Sequence, residues 1–393
     1  MGEKWVQTWG QAHSSFSFFY YPSCEKTYRM VVKATVSGKR LRLELSNECA
    51  WEPVEIGEVT VARCNENGDF TDDFIRLTVG GRESFTMDVG DVFTTDEVGF
   101  SVDTGDYFCI SAFVKKGSLR SGNLLNNVEL ITVKGNVTEQ RCIENQRRTR
   151  DGVREFACKA LKMYFHKPIP LFQSVQLLND TDASSIIVYG DSISQQGYWT
   201  NMFSERIYKE FPGKYSVINK SIMGNRLLFD HHKRFIAKGL FGIGGLNRLE
   251  RDVLNYPDCE YVILALGTND FLQYSTIAAP KSQKPTVQMF FDGILEMKRR
   301  LDEKGIKLIV FNILNFGESI DSRPEKEEMV KRFNEMLMEK KELFHGVYDQ
   351  ASLVVNPEKP SCTDKRYLGK DYVHPNLEGG RIVADNIDLD MFR

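Results

Sequence analysis

Near residue 184 the chain changes rhythm, and that change constrains its fold more than any other feature. Up to about residue 135 the apolar residues come in short alternating runs, such as V-K-A-T-V and L-R-L-E-L within "YRMVVKATVSGKRLRLELSNEC". The same habit continues through "VEIGEVTVARCNENGD", "IRLTVGGRESFTMDVGDVFTTD", "YFCISAFVKKG" and "VELITVKGNV". A period of two, broken every ten residues or so by turn pairs such as SG, NG and GG, predicts antiparallel strands of a sandwich or jelly roll. From Ser184 onward apolar strands alternate with helical segments. The strands are "IIVYG", "YSVIN", "YVILALG", "KLIVFNIL" and "GVYDQ". Helical periodicity marks "YWTNMFSERIYKEF", "LNRLERDVLNY", "TVQMFFDGILEMKRRLDEKG" and "KEEMVKRFNEMLMEKKELF". Such alternation predicts a parallel sheet covered on both faces, and five strands suit a flavodoxin-like layout better than a barrel.

A chain of 393 residues exceeds the usual size of one hydrophobic core, so two domains are expected. The boundary falls between a β-sandwich accessory domain over 1–180 and an α/β domain over 181–393. The polar stretch "TEQRCIENQRRTRDG" and the proline-bearing "HKPIPLF" form the connection, with further strand character in "FACKALKMYFH". The net charge is −3 with both signs interspersed, which provides no basic field to gather nucleic acid or anionic lipid. No segment approaches the ~18 apolar residues of a membrane span. The start "MGEKWVQTWGQAHSS" has no basic and then apolar leader pattern, so a cytoplasmic location is expected, or an extracellular one if a leader has been removed. Eight cysteines carry no C-x-x-C pair or zinc spacing, and free thiols are expected.

The stretch "IIVYGDSISQQG" puts Ser192 directly behind a buried strand, at the sheet edge where open α/β folds place their chemistry. Ser192 is therefore a nucleophile candidate. The surrounding G-D-S-I-S lacks the second glycine of a G-x-S-x-G elbow, which disfavours an ordinary α/β-hydrolase. "GIGGLN" has Asn247 where the last glycine of a dinucleotide fingerprint belongs, and no G-K-[ST] loop occurs. Among six histidines, His374 stands in "DYVHPNLEGG", three residues after Asp371, with Pro375 placed to open a helix. The Asp371 carboxylate could reach the imidazole and leave its other nitrogen free to accept a serine proton, although D-x-x-H alone equally suits a helix entry with a surface histidine. Gly224 in "SIMGNRLL" and Asn269 in "LALGTNDF" follow strands and could donate to a developing oxyanion; singly, each also reads as a turn glycine and a turn or cap residue. "DHHK", with Asp230, His231 and His232, reads as a solvated or substrate-facing loop rather than a metal site, because adjacent side chains diverge. The aromatic run "FSFFYYP" at 16–22 reads as a core strand before a sugar-stacking surface.

Serine, glycine, asparagine and histidine thus fall in order at successive strand ends of one domain. The blocks "GDSIS", "GNRLL", "GTND" and "DxxHPN" resemble the four signature blocks of the SGNH, or GDSL, hydrolase superfamily. The stretches "GGLNRLERDVL", "VILALGTNDF" and "WVQTWGQA" resemble its branch with an N-terminal β-domain, which includes xylan-esterase-like proteins. The resemblance implies a three-layer flavodoxin-like catalytic domain with a five-stranded parallel sheet behind a jelly-roll-like sandwich. It implies Ser192 as nucleophile, His374 as general base and acid, and Asp371 as its orienter. Ser192 N–H, Gly224 N–H and the Asn269 side chain would form the oxyanion hole, with no metal or cofactor. Where this branch commonly has Thr, Ser194 keeps the hydroxyl. The implied substrate is a small acyl ester or an acetylated oligosaccharide. A lysophospholipase or thioesterase, and an inactive carbohydrate-binding protein, are the rival expectations.

Overall fold

The computed structural model describes residues 2–15, 23–143, 168–232 and 239–393. They form two compact units, Met1–Ser184 with Phe211–Ser216, and Ser185–Glu210 with Val217–Arg393. The aromatic run 16–22, the stretch 156–166 and Cys158 lie outside the described residues.

The first unit is antiparallel. Its strands are β1 (Lys4–Gly10), β2 (Ser14–Ser15), β3 (Lys26–Lys33), β4 (Gly38–Ser46), β5 (Val54–Arg63), β6 (Ile75–Leu77) and β7 (Phe85–Met87). They are followed by β8 (Val92–Thr94), β9 (Val98–Val102), β10 (Tyr107–Lys116), β11 (Ser121–Asn123), β12 (Glu129–Lys134), β13 (Ile169–Pro170) and β14 (Phe172–Asn179). One sheet runs β1-β14-β4-β8 with β9 also on β4; another runs β12-β3-β10-β5-β6 with β7 also on β5; a short third runs β13-β11-β2. Alternation explains the sandwich. In β4, Leu41, Leu43 and Leu45 point into a core shared with Val59, Val61, Ile110 and Ala112 of the second sheet, while Arg40, Arg42 and Glu44 point away.

Strand β14 has no counterpart among the expected strands, although it lies between β1 and β4. Pro170 just ahead of it reads as punctuation, and the buried Gln173, Ser174 and Gln176 break the apolar count. Packing makes those polar groups tolerable: Arg42 donates to Gln176 Oε1 at 2.9 Å, and Gln176 donates to Ser174 Oγ at 3.3 Å. Among the described residues, Cys24, Cys49, Cys64, Cys109, Cys142, Cys259 and Cys362 are free thiols.

The second unit is three-layered. Its sheet holds β15 (Ser184–Gly190), β16 (Tyr215–Asn219), β17 (Cys259–Ala265), β18 (Lys307–Phe311) and β19 (Gly346–Tyr348), in the order β16-β15-β17-β18-β19. Helices α1 (Ser192–Gln195), α2 (Thr200–Glu210), α3 (Gly245–Leu249), α4 (Thr268–Leu272), α5 (Val287–Asp302), α6 (Pro324–Glu339), α7 (Gln350–Val354) and α8 (Leu377–Asp385) connect the strands. Every residue of β15 is buried, as expected of a central parallel strand. One face of the sheet packs Val262, Leu264 and Val310 against Phe290, Phe291, Ile294, Phe333 and Leu337 of α5 and α6. On the other face, Trp199 lies 5.1 Å from Phe311, while α2 packs against α8. Strand order reverses around β15, and the crevice at such a reversal is where open sheets bind ligands.

Candidate active site

At the carboxyl end of β15 the chain must turn sharply. Gly190 permits the turn, because a Cβ there would come 2.5 Å from Ser194 Oγ and 2.9 Å from Ser221 Oγ. Asp191 then caps α1, accepting the Ile193 N–H at 3.0 Å, and Ser192 opens that helix. Ser192 Oγ lies 2.7 Å from His374 Nε2, and His374 Nδ1 lies 2.6 Å from Asp371 Oδ2. The other Asp371 oxygen accepts the N–H groups of Val373 and His374, each at 3.0 Å. Closing this turn puts Tyr372 at a φ of 58°, the left-handed region that non-glycine residues seldom occupy. Burial works against the Asp371 carboxylate, but the His374 hydrogen bond and the two N–H groups outweigh it and hold its pKa down at about 2. A hydroxyl on an imidazole whose far nitrogen is held by a carboxylate can pass its proton to that ring.

Pro375 does not open the following helix. Asn376 is the N-cap of α8, with its side chain accepting the Gly379 N–H, so Pro375 stands one residue before the cap. Asn269 is likewise no cap: Gly267 occupies that place, and Asn269 lies inside the first turn of α4. This frees the Asn269 amide for other work. Its Nδ2 donates to Asp191 Oδ2 and to Asn225 O, both at a long 3.2 Å, and its Oδ1 accepts from Gln273 Nε2 at 3.0 Å. The same Gln273 Nε2 donates to Gly224 O at 2.8 Å. Gly224 has φ +66°, and a Cβ there would sit 2.2 Å from a Phe241 ring atom. Among the described residues, neither the Ser192 nor the Gly224 backbone N–H finds an acceptor. Ser192, Gly224 and Asn269 are thus linked through Asp191 and Gln273, with two backbone donors left over and an amide held only loosely.

Buried charge supports this loop cluster. The Asp270 carboxylate, fully buried, accepts the N–H groups of Leu227 and Leu228 at 2.8 and 3.0 Å and so ties the "GNRLL" loop to α4. Burial raises its pKa to about 6. Arg248, also fully buried, donates to Lys220 O at 2.8 Å, Asn225 Oδ1 at 3.0 Å and Asp252 Oδ2 at 2.9 Å, and stacks 3.8 Å over Tyr189. Asn225 in turn donates to Phe241 O and Ile243 O at 2.7 and 2.8 Å. Asp230 is exposed but not idle: Oδ1 accepts Gly244 N–H and Asn247 Nδ2 at 2.7 and 2.8 Å, while His231 packs edge-on against Phe241.

Asp191 and Gln273 are absent from the sequence-based candidates. Asp191 reads as mere context for the serine. Gln273 carries one faint signal, its place four residues after Asn269, where helical side chains meet.

A family profile for GDSL-like lipases and acylhydrolases matches residues 188–382, the span that contains Ser192, Gly224, Asn269, Asp371 and His374. Residues 188–382 belong to the GDSL-like lipase/acylhydrolase family. Among solved structures, the chain is similar to a GDSL-like lipase from Bacteroides thetaiotaomicron, with 20% identity over 53% of this chain and 88% of that one, and a TM-score of 0.38. It is similar to an acetyl xylan esterase, with 22% identity over 51% of this chain and 96% of that one, and a TM-score of 0.39. A variant of an acetyl xylan esterase from Geobacillus stearothermophilus is 15% identical over 53% and 94%, with a TM-score of 0.41. Among curated proteins, none matches the chain. The match over 188–382 supports a hydrolase that acts on esters.

Proposed function

We propose that the protein is a serine esterase that removes short acyl groups, acetyl above all, from a carbohydrate through an acyl-enzyme on Ser192. The observation that carries this is the continuous hydrogen-bond chain Ser192 Oγ, His374, Asp371, at 2.7 and 2.6 Å. Ser192 attacks the ester carbonyl while His374 takes its proton; Asp371 steadies the imidazolium; His374 returns the proton to the leaving alcohol and then activates water. The Ser192 and Gly224 N–H groups and the Asn269 amide receive the oxyanion. One feature supports a small acyl group: a Cβ at Gly224 would meet the Phe241 ring at 2.2 Å, so that ring fills the space against this donor.

The test is hydrolysis of p-nitrophenyl acetate, butyrate and octanoate by wild type and Ser192→Ala. The proposal expects serine-dependent turnover that falls with chain length, and loss of all but a trace in the variant with its circular dichroism unchanged. Undiminished turnover by Ser192→Ala would remove the acyl-enzyme. A preference for octanoate would favour a lipid-directed or thioester-cleaving enzyme. Inactivity of wild type on these and on acetylated xylo-oligosaccharides would favour a binding protein.

A further inference from the structure

We infer that Gln273 is a positioning residue that yokes the two residues supplying oxyanion donors, Gly224 through its carbonyl and Asn269 through its amide oxygen, so that their N–H groups face a substrate in register. The inference rests on the serine-esterase reading above and goes one step deeper into the same site. The two donors come from different loops, one after β16 and one after β17, and nothing in local backbone geometry obliges them to agree. Gln273, only 8% exposed at the end of α4, reaches both with one nitrogen: 2.8 Å to Gly224 O and 3.0 Å to Asn269 Oδ1.

The second contact decides which end of the Asn269 amide is which. The side-chain torsion of an asparagine amide has a broad, nearly two-fold profile, so an isolated amide could present either its oxygen or its nitrogen to the substrate. Here a donor faces one end and the Asn225 carbonyl, which can only accept, faces the other, 3.2 Å from Nδ2. Flipping would set Gln273 N–H against Asn269 N–H and the Asn225 carbonyl against Asn269 oxygen. The first contact holds the Gly224 carbonyl, in the peptide that follows the one carrying the Gly224 N–H, while the Phe241 ring occupies the place a Cβ would take, so rotation of the glycine between its two peptides is restrained. Oxyanion donors act because they are already aimed when charge develops, and misplacement of about 1 Å can cost about a hundredfold in rate.

The test compares wild type with Gln273→Met, Gln273→Glu, Asn269→Ala and the Gln273→Met/Asn269→Ala double variant in ester turnover. Asn269→Ala should lose about 10²- to 10³-fold in kcat. Gln273→Met, similar in length but without a donor, should lose about 10- to 100-fold in kcat with KM within about twofold. Because part of what Gln273 does acts through Asn269, the double variant should fall below Asn269→Ala by clearly less than the full Gln273→Met factor. Gln273→Glu supplies a readout that a merely structural role would not move. A protonated carboxyl can still donate, but an ionised one faces two carbonyl oxygens, so kcat should gain a descending alkaline limb that wild type lacks. That limb also decides the matter if Gln273→Met fails to fold. Losses that simply multiply in the double variant, or a wild-type kcat and pH profile in both Gln273 variants, would overturn the inference. These outcomes are read against a serine-dependent wild type. Failure of the esterase reading shows separately, as turnover that survives Ser192→Ala.

Discussion

Asp191 sits beside the serine with 1% of its surface exposed and uses its two oxygens on different partners, the Ile193 N–H and the Asn269 amide. Burial raises its pKa to about 7, above the range of an unfolded carboxyl. The sign of the consequence follows. Between about pH 4 and 7 the folded chain holds this proton and the unfolded chain has released it, so folding takes up a proton. The stabilisation is fully present below the unfolded pKa and is lost as pH rises through the folded one. Asp270, raised to about 6, acts in the same direction. Asp191→Asn should therefore flatten, without abolishing, the decline in stability between about pH 4 and 7. Urea unfolding across that range measures it, and identical slopes in wild type and variant would contradict the assignment. Gly224→Ala makes a second prediction at this scale: a Cβ 2.2 Å from the Phe241 ring at a φ of +66° should cost about 1–3 kcal/mol and most of the turnover. Urea titration and the acetate assay would show it, and wild-type behaviour in both would contradict it.

Among the elements, α3 and the π-helical turn that follows it over Glu250–Leu254 bring Arg248 and Asp252 together beside the loop that carries Lys220 and Asn225. Burial opposes the Asp252 charge, but Arg251 and Arg248 outweigh it and hold the pKa at about 2. This contribution is present above the ordinary carboxylate range and is lost as pH falls toward 2. Asp252→Ala would leave Arg248 buried without a carboxylate partner on its own helix, and should destabilise the second unit by about 3–5 kcal/mol. Thermal unfolding would register it as a clear drop in Tm; a shift of under a degree would argue that the pair contributes nothing net. Elements differ in how plainly the sequence announces them. The parallel strands are legible because β15, β17 and β18 are apolar runs buried on both faces. β14 is not, because its interior includes glutamines and a serine whose cost is met by partners elsewhere in the chain. The same reason half-hides Gln273 and Arg248: a spacing of four marks their partners Asn269 and Asp252, but their contacts with the Gly224 and Lys220 carbonyls, 49 and 28 residues away, leave no trace along the chain.

Over the whole molecule the change of period near residue 184 marks two separately cored parts, one antiparallel and one three-layered. A linear boundary cannot express that Phe211–Ser216 clusters with the first part although it lies inside the second half of the chain. The described residues contain no helix long and apolar enough to cross a membrane. Of the candidate site, the spacing Asp371–His374 and the order of the four blocks were visible in the sequence. The 2.7 Å approach of His374 to a serine 182 residues earlier needed the fold. That approach is also the central claim, and labelling with a fluorophosphonate, a phosphorus ester that traps activated serines, tests it most directly. The account predicts a single adduct, mapped by mass spectrometry to the peptide containing Ser192, whose formation parallels loss of ester turnover and is abolished by His374→Ala. Labelling at another serine, or turnover that persists in fully labelled protein, would contradict it.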